Sequence, residues 1–434
     1  MTEKTPETKV AEAQTAALEL AKLSDERRSA AIVSIADAIE DRSDEILAAN
    51  ETDVREAEVL LEDGEYTQAL VDRLKLSSSK LESIAEMVRS VAEQDDPLGA
   101  TQTARRLDEG LELYKRTVPI GVIGTIFESR PDALVQIAAL SLKSGNAVIL
   151  KGGSEASESN RILFEIIREA TADVPSGWAQ LVEARADVDA LLEMDDSIDL
   201  LMPRGSSGFV SYIQDNTSIP VLGHTEGICH VYVDEDADRS MAVDIAYDAK
   251  VQYPAVCNAV ETLLVHEGIA ESFLPEMADR YAEAGVELRG DDRAREIVDM
   301  APVTDDDWAS EYGDLILSIK VVDSLESALA HITTYGSKHT ESIVTDDSDR
   351  ADEFMRSLDS ASVFHNASTR FADGYRFGLG AEVGISTGKI HARGPVGLEG
   401  LTTYQYYLEG DGHRVATYAG EDAKPFLHEE IEDD

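Results

Sequence analysis

The chain is poor in positive charge, poor in cysteine, and without any long apolar run. Of its 434 residues, 38 are lysine or arginine against 86 aspartate or glutamate, a formal charge of −48. The acids are spread along the whole length, which describes a carboxylate-coated folded surface of the kind carried by proteins of high-salt environments. Such a surface repels phosphates and argues against a nucleic-acid partner. Two cysteines, Cys229 and Cys257, leave no disulfide framework. No stretch approaches the roughly 18 consecutive apolar residues that cross a bilayer, and the start lacks the apolar core of a secretion signal. The expectation is a cytoplasmic protein with no membrane partner. The nine histidines show no metal-ligand spacing, so no metal is expected. No Gly-x-x-x-x-Gly-Lys-Ser/Thr occurs, which argues against phosphotransfer. The ordinary dinucleotide fingerprint is also missing, since Gly121-Val-Ile-Gly124 lies inside a candidate strand.

What is present is the material of a globular protein. Hydrophobic residues make up 43% of the chain, and its length suits two or three domains. Residues 1 to 107 read as mainly helical; Ala30 to Ala49, for example, carries Ile32, Ile35, Ile39, Ile46 and Leu47 at helical spacing. Leu111 to Arg116 then alternates as a half-exposed strand does, suited to an edge or an arm that pairs with another chain.

From Pro119 the pattern becomes that of a parallel sheet, with short apolar runs alternating with helices. Strands are expected at Ile120 to Phe127, Ala147 to Leu150, Gln180 to Glu183, Ile198 to Met202 and Ile219 to Leu222. A helix opens at Pro131, and another carries Ile162, Leu163, Ile166 and Ile167. A second α/β block is expected from strands at His230 to Val233, Val260 to Val265, Leu315 to Val322, Ser342 to Thr345 and Ser362 to His365. Leu401 to Leu408 is a last candidate strand, and the acidic tail beyond Glu409 is expected to be loose.

Ligands bind such sheets beyond the carboxyl ends of the strands. Two turns there have the chemistry for a phosphate-bearing cofactor. Lys151-Gly152-Gly153-Ser154 offers a cation, two glycines that let a ligand reach the backbone, and a helix N-terminus. Arg204-Gly205-Ser206-Ser207-Gly208 offers the same. Cys257 lies in Tyr253-Pro-Ala-Val-Cys-Asn258, where Pro254 stops a helix and the strand at Val260 has yet to begin, and a thiolate at such a junction is a candidate nucleophile. Cys229, inside an apolar run, reads as a buried core residue.

Ile120 to Phe127, Ser144 to Lys151, Pro203-Arg-Gly205, the Cys257 stretch and Phe377-Gly-Leu-Gly-Ala-Glu382 follow one another in the order and spacing of the aldehyde dehydrogenase superfamily, which the chain resembles. Phe127-Glu-Ser-Arg-Pro131, Pro254 to Val265, Asn366-Ala-Ser-Thr-Arg-Phe371 and His391-Ala-Arg-Gly-Pro395 narrow the resemblance to the branch that reduces L-glutamyl 5-phosphate in proline biosynthesis.

The resemblance implies an aldehyde dehydrogenase-like α/β fold, with two doubly wound domains and a small β oligomerisation element. It places a cofactor-binding domain at 1–226, a catalytic domain at 227–365, and a return to the first domain and the oligomerisation strand at 366–408. It implies NADPH-dependent reduction to glutamate 5-semialdehyde through a Cys257 thioester, with Lys151 at the adenosine ribose, Glu382 at the nicotinamide ribose, and Gly205 and Ser206 at the pyrophosphate turn. Gly152, Gly153 and Ser207 complete the expected cofactor set. The Cys257 amide and the Asn258 side chain are candidate oxyanion donors. Arg130, Arg370 and Arg393 are candidate partners of the substrate's phosphate and α-carboxylate. Glu226, 31 residues before Cys257, is expected to be structural, because water activation would waste the thioester. A homo-oligomer is expected, with a glutamate kinase as a candidate partner. The rival expectation is a semialdehyde dehydrogenase of the same superfamily that needs no phosphate.

Overall fold

The computed structural model describes residues 4–184 and 187–432. Five helices open the chain: α1 (Pro6–Leu20), α2 (Asp25–Asp41), α3 (Ser43–Glu62), α4 (Gln68–Leu74) and α5 (Ser78–Ala92). The stretch read as one periodic segment at 30–49 is two helices. Arg42 leaves helical geometry (φ −109°, ψ 24°), and Asp44 and Glu45 then occupy the first turn of α3, where the helix dipole favours acids. Ile32, Ile35 and Ile39 of α2 and Leu81, Ile84 and Val88 of α5 face inward and join one core with the sheet that follows.

After β1 (Thr101–Asp108) and β2 (Leu111–Pro119), the first α/β unit has strands β3 (Val122–Phe127), β4 (Ala147–Gly152), β5 (Ala179–Val182) and β6 (Leu200–Arg204). Its helices are α6 (Pro131–Lys143), α7 (Ser157–Ala170), α8 (Asp187–Leu192) and α9 (Ser207–Asp215). All pairs in the order β5-β4-β3-β6 are parallel, and β3 and β4 are buried throughout, which is why they read as continuous apolar runs. The strand expected at Ile219 to Leu222 reduces to one parallel bridge, Leu201 to Val221. Pro220 has no N–H to extend the ladder, and Gly223 follows at once.

The second unit has strands β7 (Cys229–Val233), β8 (Val260–His266), β9 (Glu287–Gly290), β10 (Ala301–Pro302), β11 (Ile316–Val322), β12 (Thr340–Val344) and β13 (Ser362–His365). Its helices are α10 (Arg239–Val251), α11 (Glu267–Glu283), α12 (Asp292–Ile297), α13 (Leu325–Tyr335) and α14 (Ser348–Ser357). Its parallel order is β10-β9-β11-β8-β7-β12-β13, with separate apolar cores including Phe273 and Met277 in one and Ile332 and Phe354 in the other. A short hairpin, β14 (Gly384–Ser386) with β15 (Gly394–Val396), follows.

β16 (Thr402–Glu409) returns antiparallel to β2, and β17 (Glu429–Glu430) closes the far side of β1, giving the antiparallel order β16-β2-β1-β17. The tail is therefore not loose. Tyr418 and Lys424 both donate to Asp108 (2.7 and 2.5 Å), and Ile431 N–H reaches Ala104. The two parallel sheets are set so that the carboxyl ends of β3 and β6 face the loop that enters β8. That meeting makes the main cavity.

Candidate active site

Helix α10 ends at Val251, and Pro254 forbids its continuation. The chain turns through 252–259, closed by Ala259 N–H donating to the Val256 carbonyl at 2.9 Å, and Cys257 stands on that turn. Two contacts fix it from beneath. A Cβ on Gly227 would lie 2.1 Å from the Cys257 carbonyl oxygen, so only glycine admits this approach. Cys229 Sγ donates to the same carbonyl at 3.2 Å. Cys229 itself is fully buried, its thiol pushed well up by burial, and it is the core residue its apolar run implies.

Cys257 opens on a cavity of about 650 Å³ between the two sheets. Four arginines line it: Arg73, Arg130, Arg204 and Arg370. Arg370 Nε donates to Gln252 at 3.0 Å. Among the described residues, the guanidinium groups of Arg73, Arg130 and Arg204 have no ion-pair or hydrogen-bond partner. Burial, and then Arg130, hold Arg204 below the usual arginine range, while Glu382 pulls the other way. Four carboxylates, Glu128, Glu311, Asp373 and Glu382, also line the space. Burial pushes the Cys257 thiol up to about 12, with Glu311 and Glu382 adding to the rise and Arg204 opposing it. In the resting site this cysteine is a thiol.

Glu382 is raised by its own burial and accepts from the Gly374 amide at 2.8 Å through Oε2. Asn258 Nδ2 donates to the Ala372 carbonyl at 2.8 Å, leaving one amide hydrogen unused. Gly205, Ser206 and Ser207 border the same space; Glu128 accepts from Ser206 N–H at 3.0 Å, and a Cβ on Gly205 would meet that carboxylate. Glu226 is not among the residues lining the cavity and accepts from Ser207 Oγ at 3.3 Å.

A second cavity of about 370 Å³ lies beyond β4, lined by Gly152, Gly153, Ser154, Asn160 and Arg161 among others. Buried Asn160 Oδ1 has no partner among the described residues, so the hollow offers an acceptor beside two glycines. Lys151 is buried, with Nζ donating to the Gly152 carbonyl at 2.6 Å. The Glu155 carboxylate lies against Gly153 and accepts from both the amide and the hydroxyl of Ser129.

Of the residues singled out from the sequence, the fold gathers Cys257, Asn258, Gly205, Ser206, Ser207, Glu382, Arg130 and Arg370 around one space. Gly152 and Gly153 line the second cavity, and Lys151, the residue before them, does not. Arg393 lies apart, gripped by the carboxylate and carbonyl of Asp359 (2.9 and 2.7 Å). Sequence reasoning missed Arg73, Glu311, His224 and His339, and placed Arg204 only in a cofactor turn. A ring nitrogen of His224, one of His339 and the Cys257 sulfur lie within 4.8 Å of one another, and the rings meet edge-on with centroids 5.1 Å apart. No spacing announces that convergence, because the three come from separate loops.

Residues 1–320 match the aldehyde dehydrogenase family. The chain is 77% identical over 434 residues to the gamma-glutamyl phosphate reductase of Natronomonas pharaonis, covering 100% of this chain and 99% of that one. It is 70% identical to the corresponding protein of Haloquadratum walsbyi, covering 99% and 96%. The crystal structure of gamma-glutamyl phosphate reductase from Thermotoga maritima superposes with a TM-score of 0.90 at 42% identity, covering 94% of this chain and 99% of that one. An acetylating aldehyde dehydrogenase from Geobacillus thermoglucosidasius, 18% identical with a TM-score of 0.65, shares the fold across 94% of this chain and 96% of its own. The chain therefore belongs to the aldehyde dehydrogenase family, and within it to the gamma-glutamyl phosphate reductases.

Proposed function

We propose that the chain reduces L-glutamyl 5-phosphate to L-glutamate 5-semialdehyde, releasing phosphate, with NADPH as reductant and Cys257 as nucleophile. The observation that carries this reading is a thiol facing three arginines without partners, in a chain where acids outnumber bases 86 to 38. Cations left unneutralised in so acidic a protein mark the place of an anionic ligand.

Arg130 and Arg204 hold the phosphate, and Arg370 holds the α-carboxylate. Arg393, engaged by Asp359, is left out of the substrate set. The Cys257 sulfur attacks the acyl carbon, the carbon–oxygen bond to phosphate breaks, and a thioester forms on Cys257. The Cys257 amide and the spare hydrogen of Asn258 receive the oxyanion. Gly205, Ser206, Ser207 and Glu382 take the nicotinamide half of the cofactor, and Lys151, Gly152 and Gly153 the adenosine half. Bound NADPH supplies the hydride that turns the thioester into aldehyde and frees the sulfur. The choice of NADPH over NADH rests on the family resemblance, since Arg161, the cation lining the second cavity, is already held by Glu158 and Glu183 (2.6 and 2.8 Å). With Glu226 turned to Ser207, the thioester meets hydride rather than activated water.

The substrate cyclises readily, so a glutamate kinase is the natural supplier and a candidate partner. The exposed β16 edge, carrying Tyr404, Tyr406 and Leu408, is the proposed oligomer contact. The test supplies L-glutamyl 5-phosphate in place with a glutamate kinase and follows NADPH and phosphate together. The expected result is one NADPH consumed for each phosphate released above the background of cyclisation, and no NADPH consumed with Cys257→Ala. Undiminished turnover in that variant overturns the reading.

A further inference from the structure

The Cys257 thiol has to lose its proton before it can attack, and neither carboxylate near it is suited to take that proton. Glu382 is bound to the Gly374 amide, and Glu311 Oε2 accepts from the Gly227 amide at 3.0 Å. The imidazoles of His224 and His339 are different. His224 Nδ1 lies 3.0 Å from the Ile385 carbonyl oxygen, which can only accept, so Nδ1 carries the hydrogen and Nε2 carries the ring's lone pair. His339 Nδ1 faces Thr340 Oγ1 at 2.9 Å and Cys229 Sγ at 3.6 Å, while its Nε2 is buried without a partner among the described residues.

We propose that His224 is the general base that takes the Cys257 proton, with His339 as a positioning residue packed edge-on against it. The inference rests on the thioester reading above. In the step, the S–H bond breaks and its proton passes to His224 Nε2 as the sulfur–carbon bond forms. The proton then moves to the departing phosphate oxygen as the carbon–oxygen bond breaks, leaving His224 neutral. After reduction the freed thiolate takes a proton from water, so the cycle consumes one proton for each NADPH. The Cys257 sulfur and a ring nitrogen of His224 lie within 4.8 Å, a distance that substrate binding can tighten.

The groups facing His224 set its pH behaviour. Burial lowers it, the Ile385 carbonyl and Glu311 raise it, and Arg204 lowers it, for a net fall below the ordinary 6.5. Burial, then His224, take His339 down to about 3, so it stays neutral in the working range. A base with a lowered value is competent above that value and lost as pH falls through it.

The wild-type protein offers a test that needs no variant. The pH dependence of turnover is compared with that of Cys257 alkylation by iodoacetamide, which follows the thiolate and climbs about tenfold per pH unit below the thiol's own value. Turnover should level off above a limb centred below 6.5 while alkylation keeps climbing. Turnover that climbs in parallel with alkylation overturns the proposal.

His224→Asn can still donate to Ile385 but has no basic nitrogen. It should lower kcat/KM about 100-fold or more with KM little changed, remove the acid limb, and regain activity with added imidazole. Activity within threefold of wild type with the limb intact overturns the proposal, as does a large loss that imidazole does not relieve. If His224→Asn does not fold, shown by loss of its thermal transition, the wild-type comparison decides. An active Cys257→Ala would instead sink the thioester reading itself.

Discussion

The cations on the surface and those in the cavity live differently. Arg89 reaches both Asp37 and Glu40, Arg289 reaches Glu287 and Asp307, and Arg350 reaches Asp234 and Glu235. Each is consumed by the acids around it. Arg130 and Arg204, in the cavity, have none in contact. A surface arginine here gives little, because exposed pairs are worth about 0–1 kcal/mol and salt screens them. Arg204, half-buried in the cavity, keeps its charge for a ligand where burial strengthens it, while Arg130 is exposed and differs from the surface arginines in having no acid in contact among the described residues.

The contrast breaks most visibly at Arg204. Arg204→Met should lower kcat/KM about 100- to 1000-fold, or roughly 3–4 kcal/mol of transition-state stabilisation, with the melting temperature unchanged or raised. Steady-state kinetics and a thermal melt check both halves. Arg130 is more exposed, so Arg130→Met should cost less, about 10- to 100-fold, mainly as a raised KM.

Asp307 sharpens the comparison from the acidic side. Burial alone would raise its carboxyl, but the hydroxyl and amide of Thr304, with Arg289 and Tyr312, outweigh burial and hold it well below the usual 3.8. A carboxyl depressed by folding stabilises fully above its unfolded value and loses that contribution as pH falls through the folded one. Asp307→Asn should therefore lower the melting temperature at pH 7 and lower it less at pH 3. An equal loss at both pH values refutes this. Arg89→Met, at the small end, should shift the melting temperature by about 2 °C or less. A larger fall would mean that surface pairs carry more than this picture allows.

The first parallel sheet was readable because β3 and β4 are buried on both faces and appear as unbroken apolar runs. β1 was not, since Thr101–Asp108 is mostly polar and holds its place through the hairpin at Gly110 and the returning tail. The tail's docking was hidden because it depends on Asp108 meeting Tyr418 and Lys424 across some 300 residues. At the site, Cys257 was legible because a helix stop and a strand start flank it, the turn at Gly205 because glycines follow a strand there, and Glu382 only through the family resemblance of Phe377-Gly-Leu-Gly-Ala-Glu382. His224, Glu311 and Arg73 carry no such punctuation, and folding alone brings them to the cavity, with His339 buried behind His224. Arg393 shows the converse, a cation in a suggestive motif that Asp359 claims.

The most direct test of the central claim runs the reaction in reverse in molar potassium chloride. Wild type and Cys257→Ala are given glutamate 5-semialdehyde and NADP, with and without inorganic phosphate, and reduced cofactor is followed. Phosphate bound among Arg130 and Arg204 as the acceptor of the thioester predicts cofactor reduction only when both phosphate and Cys257 are present. Sustained reduction without phosphate would mean that water resolves the thioester, which contradicts the account and returns Glu226 to the chemistry.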